Sequence, residues 1–95
     1  MREINRGATE IHTFTLPVNK DQVDKVEVRY VQNGTTLIRR LYDKEMLDGS
    51  TLTVKLSVRD TMKFMAKSRV KISLRLFLVD GTVTKSNIMT AMTDE

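Results

Sequence analysis

An alternating segment near the C-terminus constrains the fold more than any other part of the chain. Apolar residues occupy every second position of Val70–Leu78, and polar residues lie between most of them. Alternation with period two is typical of a β-strand with one buried face. Asp80-Gly81 follows and predicts a turn into a second strand, Thr82–Met92. A strand with one apolar face needs a layer packed over it, so the segment predicts a fold of two packed layers.

Four further strands and their turns follow from the same pattern. Asn33-Gly34 supplies the two residues that a type I′ hairpin turn prefers, and Asp48-Gly49 is another turn signal. Pro17 ends the first of these strands or places it at an edge, because proline cannot donate to a ladder. The predicted strands are Glu10–Leu16, Lys25–Gln32, Thr35–Tyr42 and Thr51–Ser57.

One short helical turn is predicted over Val58–Phe64. Ser57 and Asp60 stand in the spacing of a capping box, with Asp in place of the usual Glu or Gln. The apolar residues of the connections are expected to contact the core: Met46, Leu47, Met62, Phe64 and Met65. The fold class predicted is therefore an all-β, antiparallel immunoglobulin-like sandwich of about six to seven strands with one short helical turn. A small barrel is the alternative.

Length and composition set the remaining limits. With 95 residues the chain suits one domain, 1–95, in which residues 1–9 form an N-terminal arm. It has no Cys, which excludes disulfides and thiolate metal sites. No apolar run approaches the roughly 20 residues of a membrane span, and the first residues lack the apolar core of a signal peptide. We therefore expect neither membrane association nor export by a signal sequence.

The candidate chemistry is sparse. His12 is the single histidine, which excludes a His-based metal cluster or nucleophile–His pair, and a structural, hydrogen-bonded role is expected for it. Asp43, Glu45 and Asp48 miss the spacing of a calcium loop and are interpreted as turn residues. We predict no catalytic residue, no metal site and no cofactor, and hence a protein that is not an enzyme.

The net charge of +4 raises the question of an anionic partner. The best candidates for a basic stripe are Arg39, Arg40, Lys55, Lys71 and Arg75. Acidic residues are interleaved along most of the chain, which favours an ordinary solvated surface. Aromatic residues for stacking bases are few, so nucleic-acid binding is the less favoured interpretation.

The chain resembles a known group of proteins in several segments, which follow one another along the sequence. They are Arg6-Gly7-Ala8-Thr9, His12-Thr-Phe-Thr-Leu16-Pro17, Asn33-Gly34, Gly49-Ser-Thr-Leu-Thr-Val-Lys-Leu56-Ser57, Asp60-Thr61 and Asp80-Gly81. The chain resembles small immunoglobulin-like β-sandwich proteins of phages and prophages of Gram-positive bacteria, and the N-terminal domains of their tail and baseplate proteins. The likeness spans about Arg6 to Met92, and Ala8 stands where Thr or Asp is expected. It implies a structural module of a virion, located in the virion or host cytoplasm.

The expected function is thus a non-catalytic interaction module. Its expected partners are other virion proteins or further copies of the chain, with no membrane contact and with nucleic acid unlikely. The alternatives are a small basic protein that binds nucleic acid and a carbohydrate-binding module. Two strands, Thr35–Tyr42 and Thr82–Met92, are expected to present edges to a partner. The candidate surface residues are Arg39, Arg40, Tyr42, Lys85, Ile88 and Met89.

Overall fold

The chain forms two packed β-sheets in a computed structural model that describes residues 3–86 and 89–94. The strands within the described residues are β1 (Glu3–Ile4), β2 (Glu10–Thr15), β3 (Val23–Gln32), β4 (Thr35–Asp43), β5 (Leu47–Asp48), β6 (Thr51–Leu56), β7 (Arg69–Leu78), β8 (Val83–Lys85) and β9 (Met89–Thr93). A short helix, α1 (Val58–Thr61), and two 3₁₀ turns, Lys20–Gln22 and Lys44–Met46, complete the described elements. Five of the six predicted strands are confirmed as β2, β3, β4, β6 and β7. The sixth, Thr82–Met92, is predicted as one strand and is instead two, β8 and β9, which both pair with β7.

The strand order identifies the type of sandwich. The larger sheet runs β1-β9-β7-β3-β4, with β8 also paired to β7, and the smaller runs β2-β6-β5. In immunoglobulin nomenclature, β2 to β7 correspond to strands B, C, C′, D, E and F, and β8 and β9 together correspond to strand G. The larger sheet then contains the order C′-C-F-G and the smaller sheet the order B-E-D, as in variable-type immunoglobulin domains. The predicted fold class is therefore confirmed. One detail departs from an all-antiparallel sheet, because β1 pairs with β9 in parallel.

The core lies between the two sheets and is built from the alternating residues of the predicted strands. Leu52, Val54 and Leu56 alternate along β6 and are fully buried, opposite the apolar face of β7. Without Cys or Trp, the chain lacks the disulfide and tryptophan that mark many immunoglobulin cores. Tyr30 packs in the core of this domain between two other rings. Its ring centroid lies 5.6 Å from that of His12 and 5.9 Å from that of Phe64.

The connection between β6 and β7 confirms part of its prediction and corrects the rest. Both halves of the capping box between Ser57 and Asp60 are formed, and Phe64 is buried. Met62 and Met65 are exposed, so their predicted core contacts are wrong. The helix ends at Thr61, and the Met65 backbone instead bonds the buried Gln32 side chain, with N–H to Oε1 at 2.7 Å and O to Nε2 at 3.2 Å. The Met65 side chain therefore points to solvent.

The other hairpin and connection predictions have mixed outcomes. Asn33-Gly34 closes β3–β4 with φ values of 52° and 77°, as a type I′ turn requires. Residues 79–82 connect β7 to β8, with Gly81 at φ 90° and the Leu78 N–H donating to Thr82 O at 2.8 Å. Met46 is exposed, which corrects its predicted core contact, because Leu47 takes the buried position of that connection.

The described part of the N-terminal segment is joined to the domain at several points. Ile4 is fully buried, and the Arg6 N–H donates to Asp94 Oδ1 at 2.7 Å. Arg6 Nε donates to the carbonyl of Phe64 at 2.7 Å, and the Thr61 hydroxyl donates to the carbonyl of Ala8 at 2.9 Å. These contacts fix the start of the chain at the β9 end of the larger sheet, and β1 covers only the last residues of β9.

Candidate interaction surface

Five basic side chains lie close together on the outer face of the larger sheet, which also carries Lys25 and Arg69. Register places residues of four neighbouring strands, β4, β3, β7 and β8, side by side on this face. Three strand spacings span about 14 Å, so the residues form one surface patch. We define the basic patch as Arg29, Arg39, Lys71, Arg75 and Lys85.

Two pairs within the basic patch set like charges directly opposite each other. Arg29 of β3 lies opposite Arg39 of β4, and Arg75 of β7 lies opposite Lys85 of β8. Like charges at directly opposite cross-strand positions are destabilising. The free domain therefore carries an unfavourable concentration of positive charge on this face.

A buried carboxylate lies inside the basic patch. Glu27 is only 2% exposed, although it belongs to the outer face of β3. Arg39 Nε donates to its Oε2 at 2.6 Å, and Arg29 Nε lies 3.0 Å from its Oε1. The Arg29 contact lacks hydrogen-bond alignment, and this buried N–H has no acceptor among the described residues. Glu27 thus neutralises part of the patch but leaves donor capacity unused.

Lys85 and Arg75 add donors on the other side of Glu27. Neither forms an ion pair within residues 3–86 and 89–94. Both line a shallow cavity of about 270 Å³, together with Glu27, Arg29 and Ser73. The arrangement suits an anionic group that accepts hydrogen bonds from several cationic side chains at once.

Arg40, also predicted for a basic stripe, lies outside the basic patch. It turns toward the smaller sheet, where Nη1 donates to the carbonyl of Lys55 at 2.7 Å and Nη2 to Asp60 Oδ2 at 2.5 Å. Burial would lower the pKa of Arg40, but its interactions with Tyr42 and Asp60 outweigh burial and raise it. Burial would likewise raise the pKa of Asp60, yet the bonds from Ser57 and Arg40 hold it below its ordinary value.

The candidate surface residues therefore do not form one surface. Arg39 and Lys85 belong to the basic patch, whereas Tyr42 is half-buried against the core. Met89 is also half-buried and lines a groove between the sheets. Ile88 lies outside the described residues. Lys55 projects from the smaller sheet, so of the predicted stripe only Arg39, Lys71 and Arg75 lie together.

His12 has the structural setting that the sequence predicts. It is buried, its Nδ1 lies 2.6 Å from the Tyr30 hydroxyl, and its Nε2 lies 3.1 Å from Glu10 Oε1. Burial raises the pKa of Tyr30, because the charged phenolate is disfavoured away from water. The pair links β2 of one sheet to β3 of the other and ties the two sheets together through the core.

Sequence reasoning missed the buried Glu27 and the contribution of Arg29. Glu27 alternates with Val26 and Val28, so the pattern correctly places it on the outer face of β3. Its burial comes from the arginines on the same face, which the pattern does not reveal. The signal available was the Glu27-x-Arg29 spacing, which sets an acid and a base on one face of a strand.

Within residues 3–86 and 89–94, no three His, Asp or Glu side chains are grouped so as to hold a metal ion. Across the same residues, no helix is long and apolar enough to cross a membrane.

No family model and no curated protein matches the chain. Among solved structures it is similar to the V domain of amphioxus IgVJ-C2, at 14% identity and a TM-score of 0.38, over 98% of this chain and 99% of that one. At that TM-score the likeness carries no argument, and the fold assignment rests on the strand order described above.

Proposed function

We propose that this domain is a non-catalytic interaction module that binds an acidic protein surface through the basic patch. The observation that carries the proposal is the pair of like-charge contacts, Arg29 opposite Arg39 and Arg75 opposite Lys85, on one sheet face. A negatively charged partner offsets this repulsion, and its carboxylates supply acceptors for the unused donors. Complementary charge of this kind speeds association and selects partners.

An acidic protein suits the basic patch better than a nucleic acid does. Proteins that bind single strands on a sheet face combine cations with aromatic platforms for the bases. On the described part of this face the only aromatic ring is Phe77, which lies beside Lys25 and Val83, one row away from Arg75 and Lys85.

The biological setting is the second part of the proposal. We infer from the resemblance in sequence that the domain belongs to a phage or prophage particle, where it joins other virion proteins or copies of itself. Mass spectrometry of purified particles from induced cultures tests this setting. Detection of the chain at a fixed copy ratio to tail proteins supports it, and absence from particles that contain every tail protein contradicts it.

A binding measurement with defined probes tests the basic patch. Fluorescence anisotropy with labelled poly-L-glutamate and with a twelve-residue oligothymidylate compares the two anionic classes. We expect preferential, salt-sensitive binding of poly-L-glutamate. The triple variant Arg39→Ala/Arg75→Ala/Lys85→Ala should bind it about tenfold or more weakly, since each lost charge contact contributes on the order of 0.5–1 kcal/mol.

The control variant removes the same charge elsewhere. Lys44→Ala/Lys55→Ala/Arg59→Ala takes three exposed cations from outside the basic patch. We expect it to retain most of the affinity. Equal losses in both triple variants would show a non-specific charge effect, and tighter binding of oligothymidylate would favour the nucleic-acid alternative; either result contradicts the proposal.

A further inference from the structure

Strand β2 is an edge strand along its whole length. The smaller sheet has the order β2-β6-β5, so within the described part of the chain β2 pairs only with β6. The Leu16 N–H donates to Ser50 O at 2.7 Å, which assigns the even-numbered residues of this segment to hydrogen bonds with β6. Antiparallel pairing alternates, so Ile11, Thr13 and Thr15 direct their backbone N–H and C=O groups to the outside. At these three alternate positions the backbone groups face away from β6, so they can form hydrogen bonds with another strand.

Next to this edge, the described residues of the two sheets border a groove. A groove of about 590 Å³ lies between the end of β2 and the β7–β9 side of the larger sheet. Pro17 and Met89 supply accessible apolar surface, and the floor is formed by core residues that are at most 4% exposed: Phe14, Leu16, Leu74 and Leu76. Strand β1 does not reach this groove, because it pairs with Met92 and Thr93 at the far end of β9. The groove is within the size range of pockets that bind ligands.

Between Ile11 and Leu16 the β2 edge lacks the features that usually prevent strand addition. This stretch, which ends before Pro17, contains no Asp, Glu, Lys or Arg, and its register with β6 runs without a bulge. Ile11, on its outer face, is 65% exposed. Sheet edges that are not used for binding normally carry charges, prolines or bulges that discourage pairing.

Lys85 gives the groove a charge preference. It lines the groove as well as the shallow cavity of the basic patch, and it has no ion-pair partner among the described residues. An acidic side chain placed against Lys85, at the rim of the groove, would form an ion pair with it. A strand that contacts the rim is therefore favoured if it carries Asp or Glu at that position.

We propose that β2 accepts one extended strand from a partner protein by β-strand addition. The added strand bonds the outward groups of Ile11, Thr13 and Thr15. Its alternate apolar side chains enter the groove against Phe14, Leu16 and Met89, and an acidic residue lies against Lys85. Main-chain bonds supply affinity in this mode of recognition, and the pockets for alternate side chains supply specificity. The proposal rests on β2 and the groove and does not require the proposed binding to the whole basic patch.

A peptide panel tests strand addition directly. The probes are seven-residue peptides with Val, Leu or Phe at alternate positions and either Asp or Lys among the polar ones. Two-dimensional NMR of the ¹⁵N-labelled domain follows each titration. We expect the Asp-containing peptides to shift the amides of Ile11, Thr13, Thr15 and Met89. Peptides of the same composition without alternation should leave these signals unchanged.

Two variants separate the parts of the proposed site. Thr13→Pro removes an outward N–H without breaking a bond to β6, and should weaken binding about tenfold, as the loss of a backbone bond and of close approach implies. Lys85→Glu is a surface change, and should reverse the preference from Asp to Lys peptides. Arg39→Ala should leave peptide binding unchanged. The proposal of strand addition at β2 and the proposal of binding at the basic patch can therefore be refuted independently.

Three results would overturn the proposal. The first is a panel in which no alternating peptide shifts the β2 amides at millimolar concentration. The second is a set of shifts centred on β4. The third is an unchanged peptide preference in Lys85→Glu, which keeps the test decisive even if Thr13→Pro fails to fold.

Discussion

The two long open edges of this sandwich, β2 and β4, are built in opposite ways. Strand β4 has Arg39 and Arg40 at its middle and an irregular register at Leu37. Strand β2 has neither a charge after Glu10 nor a bulge. Both edges belong to the same small domain, so the same pressure against unwanted pairing acts on both. The difference indicates that the β4 edge is protected and the β2 edge is kept available.

The two strands are also held in place by different forces. Strand β2 depends on its buried face, where His12, Phe14 and Leu16 are each under 5% exposed. Strand β4 buries mainly Ile38 and is otherwise fixed by ion pairs, Arg39 with Glu27 and Arg40 with Asp60. A strand held by its apolar face leaves its backbone edge free, whereas the ion pairs of β4 place charged side chains along its edge.

The largest expected effect comes from removing an apolar side chain of β2. Phe14→Ala should lower the free energy of unfolding by about 3–5 kcal/mol, because it leaves a cavity in the core. A change on the outer face of β4, Leu41→Ala, should lower it by less than about 1 kcal/mol, since Leu41 is 49% exposed. Urea unfolding of both variants measures the contrast. Similar losses would show that both strands are held by apolar burial alone.

A smaller effect is expected from the ion pair that holds β4. Asp60→Asn weakens both the cap of α1 and the contact with Arg40, and should lower the free energy of unfolding by about 1–2 kcal/mol at pH 7. The pKa of Asp60 is lower in the folded than in the unfolded chain, so its stabilisation is full above pH about 4 and is lost as the pH falls through the folded value.

The pH dependence gives a second measurement of the same change. Thermal unfolding from pH 7 to pH 3 should show a steeper decline for the parent protein than for Asp60→Asn. Asp24→Asn is the control, because Asp24 is exposed and has no ion pair among the described residues. Parallel pH profiles for the parent and Asp60→Asn would contradict the role given to this ion pair.

Sequence alone predicted the elements whose cause is local. Alternation located the buried face of β7 and of β6, and Asn33-Gly34 located its hairpin turn, because both signals act over a few residues. It did not predict β1, since a two-residue strand depends on a partner almost ninety residues away in β9. It also did not predict where Met62 and Met65 point, which depends on where α1 ends.

The candidate surface was predictable to a similar degree. Alternation places Lys71 and Arg75 on one face of β7, and the pairing of β3 with β7 then adds Arg29. The position of Arg40 depends on Asp60, which is twenty residues away and lies on α1. The open edge of β2 follows from strand order, which a single sequence does not reveal.

Amide hydrogen exchange on the free domain tests the central claim, an open β2 edge, most directly. The amides of His12 and Phe14, which donate toward β6, should be protected. The intervening amide of Thr13, which faces outward, should exchange at a rate close to that of an unstructured peptide. Protection of Thr13 equal to that of its two neighbours would mean that this edge is already covered, and would contradict the account.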